Sequence, residues 1–263
     1  MPTRRSENLL RMAELPRAGM EMASLVAMAP WLNLAPRGDR HPVVVIPGFL
    51  ADDDSTRVLR RYLSHLGYQV HPWGHGRNLG AARMGGYESL VTHVLRIYRE
   101  TGSLVSLVGW SLGGVHAVAV ADRAGYAVRQ VVTLGSPLMH SSETSAMYRA
   151  LRATAQTLNG QVLNTPSAAA SGMNDTITRI RAPITSVFSR TDGVVPWQRS
   201  LIPTTSQRDN IGVHSSHVGL GFNPAVLYAV ADRLALAESQ FESFHRRGWR
   251  ALTYPAVDTS HQT

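Results

Sequence analysis

The chain of 263 residues carries 26 basic and 18 acidic side chains, a formal net charge of +8 and no cysteine. The absence of cysteine excludes disulfides, thiolate zinc sites and cysteine nucleophiles, and because every basic residue is an arginine, lysine Schiff-base chemistry and a P-loop lysine are excluded as well. The arginines are scattered without a recognition motif, so we expect solvated surface charge and no nucleic-acid partner.

Residues 1–40 precede the first predicted strand, and we expect a helix over Met20–Leu34 to pack on the main domain. A second interpretation places this helix at the surface, where residues 20–34 contact a membrane peripherally or cover the substrate mouth. The apolar stretch after Arg4-Arg5 is interrupted by Arg11, Glu14, Pro16, Arg17 and Glu21, which argues against an export signal and favours the cytoplasm. No run of about 18 apolar residues occurs, so no transmembrane helix is predicted.

The main domain is predicted to begin with a fully buried parallel strand, Pro42–Ile46, because four β-branched residues follow the proline. Apolar residues at helical spacing then predict a helix over Arg57–Leu66, which Gly67 ends. A second strand, Tyr68–Trp73, leads through a glycine-rich loop to an amphipathic helix over Glu88–Tyr98.

The stretch Ser103–Gly114 combines an apolar strand ending at Val108 with the motif Gly109-Trp-Ser-Leu-Gly113, and a helix over Val115–Ala124 follows. In this G-x-S-x-G context the serine occupies a strained turn that projects its hydroxyl from the edge of the sheet. A Cβ at either flanking glycine would collide with the neighbouring strand and helix. Since the first N–H groups of the helix face charge that develops at the serine, Ser111 is the candidate nucleophile.

After this helix, the alternation of predicted strands and helices is interrupted once, at residues 138–181. The remaining predicted elements are the strands Val128–Leu134, Pro183–Phe188 and Asn210–Val213 and a helix over Pro224–Leu236. Residues 138–181 are rich in Ser, Thr, Ala and Asn and lack a clear strand, so we predict a lid-like insertion of one or two helices over the active edge. The predicted core therefore comprises residues 41–137 and 182–245, and a polar, frayed tail occupies 246–263.

The alternation of strands and helices predicts an α/β fold with a mainly parallel sheet flanked by helices, in which ligands bind beyond the carboxyl ends of the strands. A serine hydroxyl needs a base to take its proton and a carboxylate to orient that base. Asp192 follows the strand predicted to end at Phe188, and Gly193 allows a sharp turn that directs the carboxylate inward. Asp192 is therefore the candidate acid.

Two neighbouring histidines after the acid, His214 and His217, are the candidates for the base. His217 is favoured over His214 because the glycine-rich turn that follows it suits a loop reaching the serine, whereas His214 ends a strand and is interpreted as a packing or supporting residue. His71 and His75 are candidates for shaping the pocket. His116 lies in the helix after the serine, where a buried, hydrogen-bonded role is expected.

Two backbone N–H groups are candidates for stabilising an oxyanion. One belongs to Leu112, directly after the nucleophile, and the other to Phe49 in the loop Pro47-Gly-Phe-Leu50 after the first strand. The side chains of Phe49, Leu50 and Trp110 are the candidate substrate contacts.

In combination these motifs resemble the α/β-hydrolase superfamily, on its serine esterase and lipase side. The resemblance covers roughly residues 41–237 and is carried by Val43–Leu50, Gly109–Gly114, Leu134–Pro137, Asp192–Trp197 and Ser216–Pro224. It implies a mainly parallel sheet wrapped by helices and an acyl-enzyme mechanism without a cofactor, with Ser111, Asp192 and His217 at the triad positions. The oxyanion loop of this superfamily commonly contains His-Gly, whereas this chain has Pro47-Gly48, so the hydrogen bonds that support the loop must differ.

The resulting hypothesis is a serine carboxylic-ester hydrolase acting on a small-molecule or lipid ester, with no metal site. Two alternatives stay open: an acyltransferase with the same triad, and a non-catalytic binding protein with the same fold. A nucleotide-binding oxidoreductase is disfavoured because Gly74-x-Gly-x-x-x-Gly80 misses the G-x-G-x-x-G spacing and no helix follows at once.

Overall fold

A computed structural model describes residues 9–10, 12–141, 145–159, 166–238 and 240–257. Its strands are β1 (Pro42–Ile46), β2 (Gln69–Pro72), β3 (Val105–Trp110), β4 (Val128–Leu134), β5 (Ile184–Ser189) and β6 (Arg208–Val213). They form one parallel sheet in the order β2-β1-β3-β4-β5-β6. The mainly parallel sheet predicted from the sequence is confirmed.

Helices cover both faces of this sheet. They are α1 (Glu14–Leu32), α2 (Arg57–His65), α3 (Glu88–Thr101), α4 (Leu112–Arg123), α5 (Ala146–Asn159), α6 (Pro166–Arg179), α7 (Pro224–Leu234) and α8 (Trp249–Thr253). Short 3₁₀ turns lie at Asp53–Thr56, Ala81–Met84, Gly125–Ala127, Trp197–Arg199 and Gly219–Gly221. No helix within the described ranges is long and apolar enough to span a bilayer.

The core has two halves, one on each face of the sheet, because successive side chains of a strand point to opposite faces. All five residues of β1 are buried. Val43 and Val45 pack with α2 and α7 on one face, whereas Val44 and Ile46 pack with α3 and α4 on the other. Burial on both faces explains why the strands are nearly continuous runs of apolar residues.

The strand order reverses next to β1, which lies between β2 and β3. The chain passes from β1 to β2 on one side and then crosses to β3 on the other. Such a reversal opens a crevice at the carboxyl ends of the two strands that flank it. The loop after β1 and the turn after β3 therefore meet there, and in the register of the two strands Ile46 is opposite Gly109.

Residues 138–181 contain two helices, α5 and α6, as the composition predicts. Helix α5 contacts the turn Ala81–Met84, and α6 contacts α4. Parts of this insertion (142–144 and 160–165) and of the predicted tail (258–263) lie outside the described residues, as do residues 1–8, Arg11 and Ser239.

Two terminal segments differ from the sequence prediction. Helix α1 begins at Glu14 rather than Met20, because Pro16 falls in the first turn, where an N–H has no intrahelical partner and proline costs little. The prediction of a frayed tail is wrong over α8 and the residue after it. Tyr254 is only 1% exposed, and its hydroxyl donates to the carbonyl of Ala225 at 2.8 Å.

Candidate active site

Ser111 lies in the turn between β3 and α4 with φ of 55° and ψ of −121°. A non-glycine residue rarely adopts a positive φ, and such strain costs on the order of 1–3 kcal/mol. A Cβ added at Gly109 would lie 2.3 Å from the carbonyl oxygen of Gly113, and one added at Gly113 would lie 2.2 Å from that of Ile46. The turn therefore requires both glycines, as the sequence predicts.

The structure brings Ser111, His217 and Asp192 into one hydrogen-bonded series. Nε2 of His217 lies 3.0 Å from Oγ of Ser111, and Nδ1 of His217 lies 2.6 Å from Oδ2 of Asp192. Since a carboxylate only accepts, we assign the ring proton to Nδ1, which leaves Nε2 to accept from the serine hydroxyl. This is the arrangement in which a serine can be deprotonated where it lies.

Asp192 is oriented by its own turn after β5. Its Oδ1 accepts hydrogen bonds from the N–H groups of Val194 and Val195, both at 2.8 Å. Because these bonds hold one carboxylate oxygen, the other is left to face His217.

Neighbouring charges raise the pKa of His217. Burial acts to lower the pKa of His217, but the charge of Asp192, its hydrogen bond to Nδ1 and the charge of Glu14 outweigh burial and raise that pKa above its ordinary value. A base with a raised pKa takes a proton more readily, and the imidazolium that forms during serine attack is stabilised. The sequence did not indicate Glu14, which lies in α1, as part of this region.

The two candidate oxyanion donors lie beside Ser111. Leu112 is the first residue of α4, where an N–H has no carbonyl one turn earlier. The loop after β1 passes close to the serine, since a Cβ on Gly48 would be 3.2 Å from Cβ of Ser111. Within the described part of the chain, neither the N–H of Phe49 nor that of Leu112 donates a hydrogen bond. Both are available to an oxyanion.

Asn78 holds the loop after β1, where this chain departs from His-Gly. Its Nδ2 donates to the carbonyl of Pro47 at 2.8 Å. Its main chain exchanges two further hydrogen bonds with the loop, from N–H of Leu50 at 2.8 Å and to the carbonyl of Ala51 at 2.7 Å. Asn78 is completely buried. Nothing in the loop before Gly86 distinguishes Asn78 in the sequence, so its role is evident only in the folded chain.

His116 and Tyr87 support Asn78 in turn. Burial lowers the pKa of His116 to about 4, so the ring is neutral at pH 7. Its Nε2 lies 3.1 Å from Oδ1 of Asn78, which accepts, and its Nδ1 lies 3.3 Å from the hydroxyl of Tyr87. The proton is therefore assigned to Nε2, and a chain of donors runs from Tyr87 to the oxyanion loop.

The other histidines lie apart from the triad. His214 is exposed, and its carbonyl accepts from the side chain of Asn223 at 3.1 Å. The ring of His75 packs edge-on against Trp73, with centroids 5.3 Å apart. Across the described residues, no contact joins His71 or His75 to Ser111, so a role in shaping the pocket stays a prediction.

The three candidate substrate contacts differ in their surroundings. Leu50 is exposed and has a positive φ of 64°, and Phe49 is half-buried beside it. Trp110 has a structural partner, because its Nε1 donates to the carbonyl of His217 at 3.1 Å. The indole therefore supports the histidine loop, whereas Phe49 and Leu50 border the oxyanion loop.

No protein-family model matches the sequence, and no curated protein matches it significantly. Solved structures do share its fold. A metagenome-derived lipolytic enzyme aligns with a TM-score of 0.53 at 18% identity, over 76% of this chain and 94% of that chain.

Two further structures align equally broadly. A monoacylglycerol lipase from Paleococcus ferrophilus has a TM-score of 0.50 at 15% identity, over 75% of this chain and 96% of its own. A thioesterase domain from the curacin biosynthetic pathway has a TM-score of 0.50 at 16% identity, over 75% of this chain and 92% of its own. At these identities the likeness concerns the fold.

Proposed function

We propose that this chain, which has the α/β-hydrolase fold, hydrolyses carboxylic esters through an acyl-enzyme on Ser111. The observation that carries the proposal is the series from Ser111 through His217 to Asp192, with distances of 3.0 and 2.6 Å. It lies at the carboxyl ends of the strands, where this class of fold binds ligands. The aligned structures described as a lipolytic enzyme, a lipase and a thioesterase support the same acyl-transfer chemistry.

The reaction follows from the positions of these groups. Nε2 of His217 takes the hydroxyl proton as Oγ of Ser111 attacks the ester carbonyl, and Asp192 stabilises the imidazolium and keeps its orientation. The N–H groups of Phe49 and Leu112 bind the oxyanion of the tetrahedral intermediate. The intermediate expels the alcohol, which receives the proton from His217. The same imidazole then activates a water molecule, which attacks the acyl-enzyme and releases the acid. These steps require no cofactor.

Replacement of Ser111 by alanine tests the nucleophile. With p-nitrophenyl acetate and butyrate, we expect kcat to fall on the order of a millionfold, as for loss of the nucleophile in a comparable triad. A fluorophosphonate should label the wild-type chain at Ser111 and leave S111A unlabelled, as peptide mass spectrometry would record. Hydrolysis by S111A at near the wild-type rate would remove the proposal.

The same preparation separates the alternatives that the sequence left open. Product analysis with an added alcohol distinguishes free acid, expected of a hydrolase, from a new ester, expected of an acyltransferase. A wild-type chain that neither hydrolyses the esters nor reacts with the fluorophosphonate would instead be a binding protein with this fold.

We also propose that the chain binds a lipid surface, where its ester substrate is located. The exposed apolar surface of α1 comprises the side chains of Met20, Met22, Val26, Met28 and Trp31, together with Leu34 two residues beyond the helix. Their exposed fractions range from 40% for Met22 to 79% for Val26. Clusters of exposed apolar side chains mark interaction surfaces, and a formal charge of +8 favours an anionic lipid surface as the partner.

A further inference from the structure

We infer that α1 is a positioning element of the active site, in which Glu14, Arg17 and Glu21 hold the two loops that carry Asp192 and His217. The inference rests on the proposed function and adds residues to it that lie more than 170 positions away in the chain. None of the three was singled out by a motif.

The three residues share one face of α1. Their spacing of three and then four positions places them in a row along a helix. They are also the only charged residues between Glu14 and Leu32. All three turn toward the protein, whereas Val26 and Trp31 are exposed. An ordinary surface helix places its charged side chains in water, so the inward position of these three requires an explanation in their contacts.

The first contacts hold the turn that carries Asp192 from both sides. The guanidinium of Arg17 donates to the carbonyl of Thr191 at 2.6 Å and to its hydroxyl at 2.8 Å. On the other side, the N–H of Gly193 donates to Oε1 of Glu14 at 2.7 Å. The residues immediately before and after Asp192 are therefore both fixed to α1.

The second contacts hold the loop that carries His217. The N–H of His217 itself donates to Oε2 of Glu14 at 2.9 Å, and the N–H of Ser216 donates to Oε1 of Glu21 at 2.7 Å. The hydroxyl of Ser215 donates to Oε2 of Glu21 at 2.8 Å. Glu14 thus binds both loops at once and sets their separation, which the 2.6 Å contact between Asp192 and His217 requires.

The His217 loop is shaped to admit Glu21. A Cβ added at Gly219 would lie 1.4 Å from Oε2 of Glu21, so any larger residue there must displace that carboxylate. Such a displacement breaks the contact without changing the charge of Glu21. Gly219→Ala is therefore a probe of the contact that is independent of substitutions in α1.

The charges around His217 come from two segments, the turn after β5 and helix α1. Asp192 follows β5, Glu14 and Glu21 belong to α1, and Arg17 reaches Thr191 beside the acid. Of these, Asp192 and Glu14 raise the pKa of His217 against the lowering effect of burial. Removal of the charge of Glu14 should therefore lower that pKa, and the base should stay unprotonated to a more acidic pH.

The test compares Glu14→Gln, Glu21→Gln and Gly219→Ala with the wild-type chain on p-nitrophenyl butyrate, with active sites counted by fluorophosphonate labelling. For E14Q we expect kcat per active site to fall at least about tenfold, because misplaced catalytic groups cost rate rather than binding, and KM to change little. The acid limb of kcat/KM should move to lower pH. Glu100→Gln, which removes an exposed carboxylate paired with Arg96, is the matched control and should keep the wild-type rate and profile.

E21Q and G219A should each lower kcat per active site. The double variant should have a kcat no lower than that of the more impaired single variant, because both substitutions remove the same contact between Glu21 and the His217 loop. These two variants test the inference even where E14Q fails to fold. Wild-type kcat and an unmoved acid limb in E14Q, or wild-type kcat in both E21Q and G219A, would overturn the inference while leaving the Ser111 mechanism in place. An inactive, unlabelled wild-type chain would overturn the proposed function itself.

Discussion

Buried polar side chains occupy fixed positions around Ser111, each held by partners on a different segment. Asn78, for example, joins the loop after β1 to His116 in α4. A buried polar group that loses its partner costs about 1–3 kcal/mol, so these groups have one favourable arrangement. The geometry of the site therefore depends on residues outside the series of Ser111, His217 and Asp192.

Replacement of Asn78 by alanine tests this argument at a single residue. The substitution removes the donor to the carbonyl of Pro47 and leaves His116 without its acceptor. We expect the N–H of Phe49 to lose its position and kcat to fall about a hundredfold, which is typical for loss of one oxyanion donor. Asn33→Ala, at an exposed asparagine bonded to His65, is the control. Equal kcat values in the two variants would show that Asn78 does not position the loop.

The candidate residues that sequence analysis found are those whose chemistry depends on local pattern. Ser111 has flanking glycines, an apolar strand before it and a helix after it, and Asp192 follows a strand and precedes a glycine. Asn78 and Glu14 have no such local signature. Their partners lie 31 and 203 positions away, so only the folded chain reveals them.

At the scale of elements, the buried strands were predicted well and the chain ends poorly. The bounds of β1 and β4 equal the predicted ones, because a strand buried on both faces is a distinct apolar run. Helix α8 was missed because five residues are too few to show a helical period. It is stabilised instead by long-range contacts, since Arg250 forms an ion pair with Asp232 of α7 at 2.7 Å.

Tyr254 should anchor α8 to the core. Its ring packs edge-on against Phe244, with centroids 4.7 Å apart, and its hydroxyl bonds the chain at the start of α7. We expect Tyr254→Ala to lower the free energy of unfolding by about 3–5 kcal/mol, as for other buried aromatic residues, and Tyr254→Phe by about 1 kcal/mol through the lost hydrogen bond. Urea denaturation measures both. Equal stability of Y254A and the wild-type chain would mean that the segment is indeed a loose tail.

At the scale of the whole molecule, α1 has two proposed roles, which are to position the loops of the active site and to contact a lipid surface. Its three charged side chains bind the loops of the active site, whereas Met20, Val26 and Trp31 are exposed. Contact of the exposed apolar side chains with a lipid surface would leave the three charged side chains in place, because the two sets of residues do not overlap. Lipid contact and loop positioning can therefore be separated by substitution of different residues of the same helix.

Substitution of the exposed apolar side chains of α1 tests whether they bind a lipid surface. We expect the wild-type chain to float with vesicles that contain phosphatidylglycerol, and Val26→Ser and Trp31→Ser each to lower the partition coefficient about tenfold, because burying such a side chain is worth about 1.5–3 kcal/mol. Tyr126→Ser, at a residue 67% exposed between α4 and β4, is the control and should float like the wild-type chain. All four proteins should hydrolyse soluble p-nitrophenyl butyrate equally, since none of these side chains contacts Glu14, Arg17 or Glu21. A wild-type chain that does not float with the vesicles would contradict the lipid prediction. Dimerisation through Val26 and Trp31, measured by sedimentation, would identify a second copy of the chain as the occupant of this surface.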